Sequence, residues 1–183
     1  MQTYTYEQAR ELIKDGDIVF FKDKPNITSK IIGLATHSHF SHVAIAFWIT
    51  ADCVIESKVK RLMIVEATGK TKRSIVNMSN DSKYNMVIVT PPLSWREVSE
   101  DALDRVGLVP YGFTDGLYIG LRNITFRYTG VVLKTDNPAG EVCSEFVAKT
   151  YKLAQTQISP QELYDALLTQ HKCDIKFELK PLI

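Results

Sequence analysis

The sequence predicts an α+β fold in which one mostly antiparallel sheet packs against a few short helices. Two observations support this prediction. Four short apolar runs, rich in residues that favour strands, follow one another before residue 90 with no helical pattern between most of them. Capping residues then introduce amphipathic segments in the second half of the chain. The predicted strands cover residues 18–21, 42–48, 62–67 and 86–89.

Capping residues and loop signals place the predicted helices. Thr5 and Gln8 open a short helix that Asp15-Gly16-Asp17 ends, and Ser94 with Glu97 opens a helix to about residue 108. A helix over 143–154 follows a loop that contains Pro138 and Gly140, and Ser159-Pro160 opens the last helix, to about residue 171. Segment 28–34 is predicted as a short helix and 174–179 as an edge strand, and 111–137 has no clear pattern.

Length and composition are those of a single globular domain over residues 1–183. The chain is 45% hydrophobic and 23% charged, and its net charge of +1 provides no field that would attract a nucleic acid. No window approaches the roughly 20 apolar residues of a membrane span, and the N-terminus lacks the apolar run of a signal peptide. We therefore expect no integral membrane segment and a cytoplasmic protein, or one released by a route that needs no signal peptide.

Cys143 is the candidate nucleophile among three cysteines. Cys53, Cys143 and Cys173 are odd in number and widely spaced, which favours neither a disulfide framework nor a zinc knuckle. Cys143 begins a predicted helix, where unpaired backbone N–H groups and the helix dipole favour a thiolate and could also hold an oxyanion. The alternative is that Cys143 is only a small buried hydrophobic residue.

His42 and Glu66 are the candidate partners of that cysteine. His42 begins a predicted strand after a polar loop, and Glu66 stands near the end of the apolar run Leu-Met-Ile-Val-Glu-Ala, where a carboxylate needs a partner. A carboxylate that binds one ring nitrogen of a histidine leaves the other nitrogen to act on a thiol. The alternative for Glu66 is an ion pair with Lys70, Lys72 or Arg73.

Four motifs in order, GDIVFF, SHVAIAF, IVEAT and VCSEFVAKTY, resemble the permuted NlpC-like papain-fold cysteine peptidases of the YiiX type. The resemblance spans about residues 15–170. It implies a circularly permuted papain-like fold in which the histidine precedes the cysteine. It also implies Cys143 as nucleophile, His42 as general base and Glu66 as the group that orients His42, with no cofactor.

The sequence departs from that family ahead of the cysteine. Members often carry Tyr-Asp there, whereas this chain has Tyr111-Gly112, with Asp115 later. Tyr111 and Ser144 are the candidates for holding an oxyanion or substrate. Glu145 is expected to interact with the dipole at the start of the helix.

The expected function is that of a thiol hydrolase, which cleaves an amide through a Cys-His-Glu triad and an acyl-enzyme. The substrate implied by the resemblance is a peptidoglycan-type peptide or another amide or isopeptide, with specificity set by loops 22–36 and 111–137. Three alternatives stay open. His37, His39 and His42 could form a metal site to which Cys143 adds a thiolate, although the usual ligand spacings are absent. The chain could instead be a lipid-directed acyltransferase or phospholipase resembling lecithin retinol acyltransferase, or a non-catalytic binding module. The sequence indicates no oligomeric state.

Overall fold

The computed structural model describes residues 2–25, 38–51, 58–68, 73–104, 106–107 and 142–181. The helix predicted at 28–34 and the unassigned segment 111–137 lie outside these residues. Cys53 and His37 lie outside them as well.

The described residues form one sheet of seven strands. Its strand order is β1-β7-β6-β2-β3-β4-β5, and among these seven strands only the pairing of β1 with β7 is parallel. The mostly antiparallel α+β architecture predicted from the sequence is therefore confirmed. The strands are β1 Thr3–Thr5, β2 Ile18–Phe21, β3 His42–Ala51, β4 Val59–Ala67, β5 Arg73–Asn77, β6 Met86–Val89 and β7 Ile175–Lys180.

Four α-helices lie within the described residues: α1 Tyr6–Ala9, α2 Trp95–Leu103, α3 Cys143–Thr150 and α4 Pro160–Thr169. Two 3-10 turns, Arg10–Leu12 and Met78–Asp81, accompany them. The predicted capping boxes form at the starts of α1, α2 and α4. Each box satisfies backbone N–H groups that have no partner inside the helix.

Both faces of the sheet are buried, because successive side chains of a strand point to opposite faces. Along β3, Val43, Ile45 and Phe47 belong to a core that includes buried residues of α2, α3 and α4. Ala44 and Ala46 belong to a second core, which includes residues of α1 and the turn Met78–Asp81. The strand that carries His42 is thus fixed from both sides.

Several features of the fold differ from the sequence-based expectation. The last strand, β7, is not at the edge: it lies between β1 and β6, and its alternation reflects burial of Phe177 and Leu179. Strands β1 and β5 were not predicted. Helix α2 ends at Leu103 rather than near residue 108. In its last turn, the Arg73 side chain donates to the carbonyl of Asp101 at 2.6 Å.

Helix α3 also ends earlier than predicted, at Thr150 instead of residue 154. Lys152 has a φ of 54°, and its N–H donates to the Lys149 carbonyl while that of Leu153 donates to the Ala148 carbonyl. This pair of bonds is a Schellman motif, which reverses the chain after the last helical turn.

Gly16 allows a bulge that aligns β2 with β3. Its N–H donates to the Ala46 carbonyl at 2.8 Å, and the Ala46 N–H donates to the Asp17 carbonyl at 2.8 Å, so two residues face one. Gly16 has a φ of 87°, a value that favours glycine. The neighbouring Asp17 carboxylate is buried, where it accepts from Lys176 Nζ at 2.6 Å.

Replacing Gly16 with alanine tests this bulge. A Cβ there would make ordinary contacts, at 3.4 Å, with atoms of both Trp95 and Tyr151, so the expected cost is the strain of a positive φ at a buried position with little room to relax. The matched control is Gly107, which has a φ of 78° but nothing within 4 Å of an added Cβ. We expect Gly107→Ala to lower the free energy of unfolding by about 1 kcal/mol and Gly16→Ala by about 2 kcal/mol. Equal losses in urea unfolding would contradict this account of Gly16.

Candidate active site

Cys143 is the first residue of α3, as the sequence predicts. The preceding residue, Val142, is extended with φ −90° and ψ 163°, and no side chain caps the helix. The thiol is buried, with 5% of the residue exposed. Burial by itself would raise the pKa of the thiol, but the His42 imidazole and the backbone N–H groups of Val43 and Ser144 lower it below its ordinary value. The surroundings of the sulfur therefore favour a thiolate.

His42 is the first residue of β3 and lies against the same thiol. Its Nε2 is 2.7 Å from Glu66 Oε2, and the ring is almost completely buried. Its Nδ1 is also buried, and among the described residues nothing meets hydrogen-bond geometry with it. Burial would lower the pKa of His42, but the Cys143 thiolate and the Glu66 carboxylate raise it to about 9. Because Nε2 is occupied by Glu66, Nδ1 is the nitrogen left for proton exchange with sulfur.

The register of the sheet explains why the Val43 N–H can reach the sulfur. The Ala46 N–H points to β2, so the N–H groups of odd-numbered residues in β3 point to β4. The paired residues of β3 and β4 begin only at Ile45 and Val65. Val43 lies one step beyond this ladder, where its N–H can face the thiol instead of a strand partner.

The same register brings Glu66 to His42. Glu66 follows Val65, the partner of Ile45, so it lies on the face of the sheet that carries His42, as a diagonal neighbour. Its Oε2 accepts a second hydrogen bond, from Lys24 Nζ at 2.7 Å. Burial would raise the pKa of Glu66, but His42 and then Lys24 lower it to about 2. Glu66 is therefore ionised at neutral pH.

Lys24 and Asp81 are site residues that the sequence analysis did not identify. Lys24 follows β2, and its Nζ also lies 2.8 Å from Asp81 Oδ2. Glu66 has an ion-pair partner in addition to His42, but it is Lys24, which was not among the partners considered from the sequence. Lys70 and Lys72 lie outside the described residues, and Arg73 reaches the carbonyl of Asp101 and covers the Phe146 ring. Lys24 lies in a polar stretch, 42 residues before Glu66 in the chain. The sequence around Lys24 therefore gives no indication of its contact with Glu66.

The other predicted site residues have different surroundings. The Ser144 hydroxyl donates to the Ile158 carbonyl and is buried, so its backbone N–H, near the sulfur, is the group left for an oxyanion. Tyr111 and Asp115 lie outside the described residues. Glu145 is buried in the first turn of α3 and pairs with Lys149 at 2.8 Å.

Among the described residues, the donor groups around Cys143 are too few to hold a metal ion. His42 Nε2 and Glu66 Oε2 bind each other, so the described part of the site leaves only the thiol and Nδ1, fewer than the three or four protein ligands that zinc takes. His39 of the alternative metal set is exposed. Across the described ranges, no three His, Cys, Asp or Glu side chains form a ligand group.

No family model matches the chain, and no curated protein is significantly similar in sequence. Several solved chains are similar in fold. Among them is the metalloprotein YiiX from Escherichia coli O157:H7 (DUF1105), with 17% sequence identity and a TM-score of 0.49. The alignment covers 92% of this chain and 98% of that chain. At this level of similarity, the neighbour assigns no role to any residue of this chain. None of the described helices is long and apolar enough to cross a membrane.

The free energy of unfolding at acidic pH tests whether Glu66 is held as an ionised partner of His42 and Lys24. The pKa of Glu66 falls from an ordinary 4.5 to about 2 in the folded protein, so its ionised form stabilises the fold above pH 4.5. This contribution, about 3 kcal/mol, is lost as pH falls from 4.5 toward 2. Urea unfolding of the protein and of Glu66→Gln should show a difference that shrinks over this range. Parallel curves for the two proteins would mean that Glu66 is not held as an ionised partner.

Proposed function

We propose that the chain is a thiol hydrolase of the permuted papain-like type, in which Cys143 attacks an amide carbonyl. The observation that carries this proposal is a buried thiol at a helix start beside a histidine whose other ring nitrogen binds a carboxylate, at 2.7 Å. Cysteine, histidine and carboxylate come from α3, β3 and β4, in the chain order expected of the permuted enzyme. A core cysteine with a purely structural role would not need these polar partners.

The proposed reaction follows from the proton positions. The Cys143 thiolate attacks the carbonyl carbon, and the backbone N–H groups around the sulfur lie close to where the oxyanion would form. The carbon–nitrogen bond breaks, and the proton on His42 Nδ1 passes to the leaving amine. Water then attacks the thioester and gives a proton to Nδ1, which releases the acid and restores the thiolate–imidazolium pair. Glu66 holds the ring and stabilises its positive charge.

The substrate class we propose is an amide of a peptidoglycan-type peptide or a protein isopeptide, carried over from the motif resemblance. A lipid ester or acyl transfer is the competing use of the same thiol chemistry. Both uses require an activated Cys143, so activation is tested first and the substrate second.

Selective alkylation tests the activated thiol. Cys143 and Cys173 are almost equally buried, with 5% and 8% of each residue exposed, but burial raises the pKa of Cys173 while the site lowers that of Cys143. We expect iodoacetamide at pH 6.5 to label Cys143 at least roughly tenfold faster than Cys173, as read by peptide mass spectrometry. His42→Gln should slow the labelling of Cys143 and leave that of Cys173 unchanged. Equal rates for the two cysteines in the unmodified protein would overturn the proposal.

Turnover then separates the substrate classes. The protein and Cys143→Ala are incubated in parallel with peptidoglycan stem peptides and with acyl-glycerolipid vesicles. Cleavage of a peptide amide that disappears in Cys143→Ala supports the proposed substrate class. Release or transfer of a lipid acyl group with the same dependence would assign the lipid reaction instead, and rapid labelling without either turnover would contradict both assignments.

A further inference from the structure

The carboxylate that binds His42 is itself held by a second, partly buried ion pair. Glu66 Oε2 accepts from His42 Nε2 and from Lys24 Nζ, each at 2.7 Å, so one oxygen atom joins the histidine to the lysine. Lys24 Nζ continues the chain to Asp81 Oδ2 at 2.8 Å. The side chains of Glu66, Asp81 and Lys24 are 5%, 11% and 16% exposed, so solvent screens these charges only weakly.

The other contacts of Lys24 fix its position. Its Nζ lies 4.7 Å from the centre of the Phe21 ring, the residue of β2 that pairs with His42 of β3. Phe21 also packs against the His42 ring, with 5.6 Å between the ring centres. A lysine that served only to pair a surface carboxylate would not need a packed aromatic face.

We propose that Lys24, held between Glu66 and Asp81, is a positioning residue that sets the pH range over which His42 carries its proton. This inference rests on the proposed function for its catalytic meaning, since a hydrolase needs His42 both to stabilise the thiolate and to give up its proton. Glu66 alone would favour the imidazolium. Lys24 binds the same oxygen, and its positive charge opposes protonation of His42. The negative charge of Asp81 partly offsets the positive charge of Lys24.

The signs of these effects follow from charge alone. The charged groups that act on His42 within the described residues are Cys143 from α3 and Glu66 from β4, and Lys24 and Asp81 act through Glu66. Removing the cation Lys24 favours a proton on His42 and raises its titration midpoint. Removing the anion Asp81 strengthens the hold of Lys24 on Glu66 and lowers that midpoint.

The test measures the His42 titration midpoint by NMR of the imidazole nitrogens. It is run in a Cys143→Ala background, so that the result does not depend on whether the thiol is activated. We expect Lys24→Met to raise the midpoint by about one pH unit and Asp81→Asn to lower it by a smaller amount. The double variant should lie between the two, and Lys24→Arg, which keeps the charge, should stay near the parent.

A purely structural role for Lys24 predicts a different pattern. In that case Lys24→Met would change the urea midpoint of unfolding but leave the His42 titration midpoint unchanged, or both single variants would shift the His42 titration midpoint in the same direction. Either result overturns the inference. If Lys24→Met does not fold, Asp81→Asn still decides, because a midpoint that fails to fall contradicts the proposed chain of charges. The failure of the hydrolase proposal is distinct, since it shows as equal iodoacetamide labelling of Cys143 and Cys173 in the unmodified protein.

Discussion

The hydrogen bond between His42 Nε2 and Glu66 Oε2 is the interaction on which the site depends. It fixes the imidazole so that Nδ1 is the nitrogen left for Cys143, and it supplies the negative charge that a buried imidazolium needs. Burying a carboxylate and a ring cation without such a partner would be strongly unfavourable. The pair is therefore tolerated in the core only because each group is the hydrogen-bond partner of the other. Lys24 adds a second partner for Glu66, and Asp81 pairs with Lys24.

The sheet provides the geometry for that bond. The bulge at Gly16 and Asp17 aligns β2 with β3, and the β3–β4 register places Glu66 as a diagonal neighbour of His42. The end of the β3–β4 ladder frees the Val43 N–H for the sulfur. Helix α3 then brings Cys143 to this opening with its unpaired N–H groups. These features of the sheet together position His42, its partner Glu66 and the Val43 N–H.

Much of the fold was predictable because its signals are local. Capping boxes at Thr5, Ser94 and Ser159 and the apolar runs of β2 and β6 each specify an element within a few residues. The pairing of Cys143 with His42 was suggested by a cysteine at a helix start and a histidine at a strand start, and the motif order pointed to the same pair. Lys24 and the inner position of β7 were not predictable, since they depend on contacts 42 and more than 80 residues apart in the chain, which leave no periodic trace in the sequence.

The protonation state of His42 in the unmodified protein, compared with that in Cys143→Ala, decides whether Cys143 and His42 form a charged pair supported by Glu66. NMR of the imidazole nitrogens should show His42 protonated on both nitrogens at pH 7.5, with a midpoint at a pKa of about 9, and a lower midpoint once the thiol is removed. A neutral ring at pH 7.5 in the unmodified protein, or the same midpoint in both proteins, would contradict the account.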